Sequence, residues 1–135
     1  MALDVDGAFM PFIHIKSLPL EKSMDIPRTL EGISIDFSKK MGLELYHVHT
    51  TWEFFLPGHH AKGDVAPGHQ PRKRHPLIVD LLTPDFNDTT VIAIMLKTIA
   101  DSISERVGFP TNNIFINHRQ AHSSMVFDDG NIVQW

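Results

Sequence analysis

The sequence predicts an α+β domain in which duplicated β-α-β units form a four-stranded sheet with two helices on one face, plus a C-terminal hairpin. Two observations carry that prediction. The order strand, turn, helix, glycine, strand occurs twice along the chain. The halves also keep register: Pro11 and Pro76, each opening a strand, stand 65 residues apart, and Gly42 and Gly108, each closing a helix, stand 66 apart. Each half is long enough for a parallel crossover.

The elements follow in order. Phe12 to Lys16 is a short apolar strand ending in a Ser17-Leu18-Pro19 turn. A helix begins near Pro27, with Leu30, Ile33, Phe37 and Met41 at helical spacing, and stops at Gly42. Leu45 to Leu56 reads as one long β-rich run closed by Pro57-Gly58. Gly58 to His75 is a polar loop rich in glycine, proline and histidine. Pro76 to Leu82 is an apolar strand, and Thr83-Pro84-Asp85 turns the chain. Asn87 is the expected N-cap of a helix from Asp88 to Val107, whose stripe is Val91, Ile94, Met95, Ile99 and Ile103. Ile114 to Asn117 is the fourth strand. Asp128-Asp129-Gly130-Asn131, flanked by Met125-Val126-Phe127 and Ile132-Val133, predicts the hairpin. With both helices on one face, the other sheet face is left bare. Its strands carry apolar residues on both alternations, so a second subunit is expected there.

At 135 residues the chain fits one domain, taken as 10–135, preceded by an acidic extension, 1–9. A net charge of -4 gives no electrostatic case for nucleic acid or an anionic membrane. The one basic cluster, Arg72-Lys73-Arg74, is short and reads first as a solvated run. There is no cysteine, which excludes disulfide and thiolate chemistry and fits a cytoplasmic protein. No apolar run approaches the roughly 20 residues of a membrane span.

The residue with most chemical promise is Pro11, which directly follows Met10. Were the chain to begin at Met10, removal of that methionine would free Pro11 as a secondary amine, able to act as a base. An internal proline nitrogen is an amide without a usable lone pair. The structural alternative is a proline that merely opens a strand. Lys16 shares its alternation with His14, on the face opposite Ile13 and Ile15, and is a candidate cation for a carboxylate substrate. The nine histidines raise a metal reading, because His47, His49 and Glu53 would share one strand face. A polar strand facing a pocket or interface accounts for them as well. His59, His60, His69 and His75 sit in the polar loop, where histidines are usually solvated.

A Met-Pro start before a β-strand, in a duplicated β-α-β chain of this length, resembles the tautomerase superfamily. Ile114-Phe115-Ile116-Asn117 resembles the last core strand of its migration-inhibitory-factor branch, and the Phe-Asp-Asp-Gly tail resembles the C-terminal segment of its longer members. The resemblance spans roughly Met10 to Trp135. It implies a homotrimer with sites at subunit interfaces and no organic cofactor or metal. Pro11 would be the general base, moving a proton in a small keto/enol carboxylate. Asn117 matches a family asparagine, and His49 aligns approximately with a substrate-binding arginine. This chain departs from the migration-inhibitory-factor branch at Leu43, where that branch carries a lysine, and at Phe115, where it carries an active-site tyrosine, and at Thr83-Pro84-Asp85-Phe86 it lacks the arginines of the decarboxylase branch. Two other functions stand beside the enzyme: a non-catalytic trimer serving as an interaction scaffold, and a histidine-dependent metalloprotein.

Overall fold

Strict alternation decides how the first strand lies. In β1 (Phe12–Ser17) the residues Ile13, Ile15 and Ser17 are buried, while Phe12, His14 and Lys16 face away from the core. The structure is a computed structural model and describes residues 11–135; the extension expected at 1–9, and Met10, lie outside the described residues. After β1 the chain enters helix α1 (Ile26–Met41). The Asp25 side chain caps it by accepting from the Arg28 N–H at 3.1 Å, and Pro27 sits in the first turn, where its missing N–H costs nothing. Gly42 ends it in the left-handed region at φ 68°.

The second strand is shorter than expected. Leu45–His47 form a 3-10 turn, and β2 covers only His49–Phe54. That turn breaks the alternation between His47 and His49. In the second half come β3 (Leu77–Pro84), α2 (Thr89–Val107) and β4 (Ile114–Ala121). Thr83 and Pro84 thus finish β3 rather than turning the chain, and β4 runs four residues past Asn117. The cap of α2 is Asp88, which accepts from the Val91 N–H at 2.9 Å, and not Asn87. Asn87 instead donates to the Pro84 carbonyl at 3.2 Å, sealing the end of β3.

The four strands form one sheet in the order β2-β1-β3-β4, parallel within each half and antiparallel where β1 meets β3. Ile13, Ile15, Leu77, Val79 and Leu81 pack against Ile33 and Phe37 of α1 and Met95, Ile99 and Ile103 of α2. Both helices therefore cover one face, as the sequence predicts. The same-face residues of the two halves match at a spacing of 66: Ile13 with Val79, Ile15 with Leu81, Ser17 with Thr83. The tail forms the expected hairpin, β5 (Val126–Asp128) with β6 (Asn131–Val133). Its corner, Asp129-Gly130, takes φ 49° and 79°, which suits the twist of a two-residue hairpin. Among the described residues no helix is long and apolar enough to cross a membrane.

Candidate functional site

The bare face of the sheet is where polar side chains gather. Register sorts them into three rows running across the strands. The row nearest Pro11 reads His49, Phe12, Leu82, Arg119; the next reads Thr51, His14, Asp80, Asn117; the third reads Glu53, Lys16, Ile78, Phe115. Only four of these twelve are apolar, so the face is far more polar than the expectation of an apolar contact surface. Alternation read from sequence overestimated it because β2 presents His49, Thr51 and Glu53 outward and turns Thr50 and Trp52 inward.

Two interactions organise the rows. Arg119 donates to Asp80 through Nε, at 3.0 and 2.9 Å from its two carboxylate oxygens, and through Nη2. Those hydrogen bonds are the main reason the Asp80 carboxyl lies below the usual carboxylate range. Burial opposes them, and the positive Arg119 and the Asn117 side chain add to them. The same pairing raises Arg119. His14 lies between strands, its Nδ1 hydrogen-bonded to the Thr51 hydroxyl and its Nε2 3.2 Å from the Glu53 carboxylate. Between these groups lies a cavity of about 310 Å³, bordered by Phe12, His14, Thr51, Asp80, Leu82 and Arg119.

The four residues expected at a site are spread along this face and its edge. Pro11 is buried at the head of β1, and its carbonyl accepts the His49 N–H at 3.0 Å. His49 is exposed, its ring stacked on Phe12 with centroids 4.2 Å apart. Asn117 stands one row further in, beside Asp80. Lys16 lies at the far end of β1, five residues or about 16 Å along the strand from Pro11. Its side chain makes no hydrogen bond or ion pair among the described residues. Asp80 is the site residue that sequence reading passed over. Its signal was there, since it is the one charged residue within the apolar run from Leu77 to Leu82.

The histidines do not assemble. His47, in the 3-10 turn, is 3.4 Å from Glu44 and shares no strand face with His49. Among the described residues no three His, Asp or Glu side chains stand close enough to share a metal ion. The polar loop is more ordered than its composition suggests. His75 is 3% exposed, and its ring meets His60 edge-on at 4.3 Å. Burial, then the neighbouring His75, lowers the pKa of His60. His118, on the helix side of β4, is likewise lowered by burial, against a weaker pull from Asp80, and its Nε2 is 2.7 Å from the Thr83 hydroxyl.

Comparison with solved structures identifies the fold. A protein whose structure was determined after inactivation by 2-oxo-3-pentynoate superposes with TM-score 0.76 at 13% identity, over 90% of this chain and 94% of that one. A fused 4-OT, described as an asymmetric trimer, gives TM-score 0.75 at 9% identity, over 90% and 94%. A macrophage migration inhibitory factor homologue from Prochlorococcus marinus gives 0.70 at 14%, over 90% and 98%. At these identities the likeness establishes the tautomerase-superfamily fold. No family model matches the sequence, and comparison with curated protein sequences returns no match.

Proposed function

We propose that this protein is a cofactor-independent proton-transfer enzyme of the tautomerase type, working as a homotrimer on a small keto/enol carboxylate with Pro11 as its base. The observation that carries the reading is the position of Pro11: buried, at the head of the strand that borders the cavity, in a fold shared with a protein inactivated by a 2-oxo acid. A secondary amine freed at that position would be partly desolvated. Its charged form is then disfavoured, so its pKa falls toward neutrality and it can accept a proton. The reaction takes the hydroxyl proton of the enol and returns a proton to the adjacent carbon, leaving the ketone.

The remaining roles follow from what each side chain has to spare. His49 and Asn117 offer hydrogen bonds from the rows nearest Pro11. Arg119 is already neutralised by Asp80, so among the described residues Lys16 is the cation of this face without an ion-pair partner, and we assign it to the substrate carboxylate. Because about 16 Å separates Lys16 from the Pro11 of its own chain, it serves the site of a neighbouring protomer. The domain in this reading is 10–135, with 1–9 removed or absent from the active form.

The test is to express the chain from Met10, confirm by intact mass that Pro11 is the first residue, and assay phenylpyruvate and 2-hydroxymuconate. Ketonisation above buffer is expected, lost in Pro11→Ala and in protein that retains residues 1–10. With Pro11 shown to be free, an unchanged buffer rate would overturn the catalytic reading and leave the trimeric scaffold.

A further inference from the structure

A larger cavity, of about 550 Å³, lies at the opposite end of β1 from Pro11, and none of the chemistry above uses it. The loop from Leu20 to Met24, which carries the chain from β1 toward α1, forms one wall. Val107 and Phe109, at the end of α2, form the apolar floor. Three cations border it: Lys22, Arg72 and Arg106. The size falls in the range of small-molecule sites, which join an apolar floor to a few converging polar groups.

Two of the cations are held in place. Arg106 grips Asp36 with Nε and Nη2 at 2.9 and 3.0 Å, and Asp36 also accepts from Ser102 at 2.6 Å. Arg72 lies over the Phe109 ring, 5.7 Å from its centroid, and donates to the Gly108 carbonyl. The loop carrying Arg72 is fixed by Gln70, itself 2% exposed. Its backbone N–H donates to Pro19, its side-chain oxygen accepts from the Leu18 N–H at 3.0 Å, and its side-chain nitrogen donates to His75. Lys22 has no partner among the described residues. Donors fixed before binding lose little entropy when a ligand arrives.

Charge selects the ligand class. Lys22, Arg72 and Arg106 are offset by Glu21 on the rim and by Asp36 behind Arg106, which leaves one positive charge in a protein whose net charge is -4. That balance suits a single carboxylate better than a phosphate dianion. The Leu20, Met24 and Phe109 surfaces suit an aryl or branched alkyl body. We infer that this cavity is a second small-molecule site, separate from the Pro11 end, that takes a monocarboxylate with an apolar body held between Lys22 and Arg72.

Titration of the full chain with 3-phenylpropionate, followed by amide chemical shifts, tests this without any assay of catalysis. Saturable shifts are expected at Leu20, Met24, Val107 and Phe109, with none from the neutral 3-phenylpropanamide. Lys22→Gln and Arg72→Gln should each weaken binding about tenfold, the effect of losing one hydrogen bond to a charged group. The Lys22 side chain makes no bond among the described residues, so its variant reports even where Arg72→Gln unfolds the loop. Equal binding of the amide, tighter binding of inorganic phosphate, shifts confined to the Pro11 end, or unchanged affinity in Lys22→Gln would each overturn the assignment.

Discussion

Gly32 sits in the middle of α1, where glycine is a poor helix former, and its reason for being there is Arg106. An alanine Cβ built at position 32 would lie 2.1 Å from Arg106 Nη1 and 2.3 Å from Cζ, whereas ordinary contact begins near 3.4 Å. The guanidinium would have to retreat by the difference, about 1.3 Å. Its bonds to Asp36, now 2.9 and 3.0 Å, cannot both survive that. A charge-assisted bond is worth up to about 3 kcal/mol. Arg106 and Asp36 are about a third exposed, at 36% and 32%, and solvent screening brings the loss down to about 1 kcal/mol. Replacing a mid-helix glycine with alanine returns about 1 kcal/mol in propensity. Gly32→Ala is therefore expected to be near neutral in the native chain and stabilising by about 1 kcal/mol in an Arg106→Ala background. Urea unfolding of the four proteins at one protein concentration gives the coupling, which should exceed the roughly 0.5 kcal/mol scatter of independent sites. Equal effects of Gly32→Ala in both backgrounds would refute the clasp, and with it the fixed position of Arg106 at the second cavity.

Other expectations concern the core, pH and the polar loop. Phe37 is fully buried, so Phe37→Ala should cost about 3–5 kcal/mol by chemical denaturation; a loss under 1 kcal/mol would remove it from the core. Burial lowers the pKa of both His60 and His118, so the unfolded chain binds more protons than the folded one as pH falls below about 6.5. Melting temperature should then fall between pH 7 and 5, and less steeply in His118→Asn; an unchanged slope in that variant would exclude His118 as a source. Asp36 and Asp80 are both lowered. Their contribution is complete above the unfolded carboxyl pKa of about 3.9 and is lost as pH drops below it. Gln70→Ala leaves the buried Leu18 N–H without its acceptor, costing about 1–3 kcal/mol; hydrogen exchange at Leu18 should accelerate, and unchanged protection would contradict the pin.

What could be read from sequence was what short-range chemistry writes. Helix stops at Gly42 and Gly108, the Asp129-Gly130 corner and the alternation of Ile13 and Ile15 each depend on a few neighbouring residues, and each is found where it was expected. The Asp88 cap was missed by one residue because Asn87 is an equally good capping type, and only the end of β3 decides between them. The pairing of Asp80 with Arg119 was not legible, since it spans 39 residues and depends on the register of β3 with β4. The order in the polar loop was hidden for a similar reason. It rests on Gln70 and on Asn113, whose side chain accepts from the His75 N–H at 3.0 Å across 38 residues. Nothing in the local composition of Gly58 to His75 announces either anchor.

The duplication also bears on whether Pro11 is merely a strand opener. Pro11 and Pro76 look like counterparts at a spacing of 65, and Pro76 is an internal proline with no amine to offer. The folded halves, however, repeat at 66. At that spacing His14 corresponds to Asp80, and the two are also register partners, so they lie at the centre of the pseudo-symmetry. The counterpart of Pro11 is then Leu77, a fully buried core residue, and Pro76 corresponds to residue 10. Pro76 is therefore no precedent for Pro11. Where one half uses a leucine side chain to fill the helix-facing layer, the other places a buried proline ring on the same alternation. A strand-opening role requires neither burial nor that alternation, since a proline one residue earlier would open the strand equally well. What distinguishes the first half from the second is the proline at that matched position, and the proton-transfer reading depends on it.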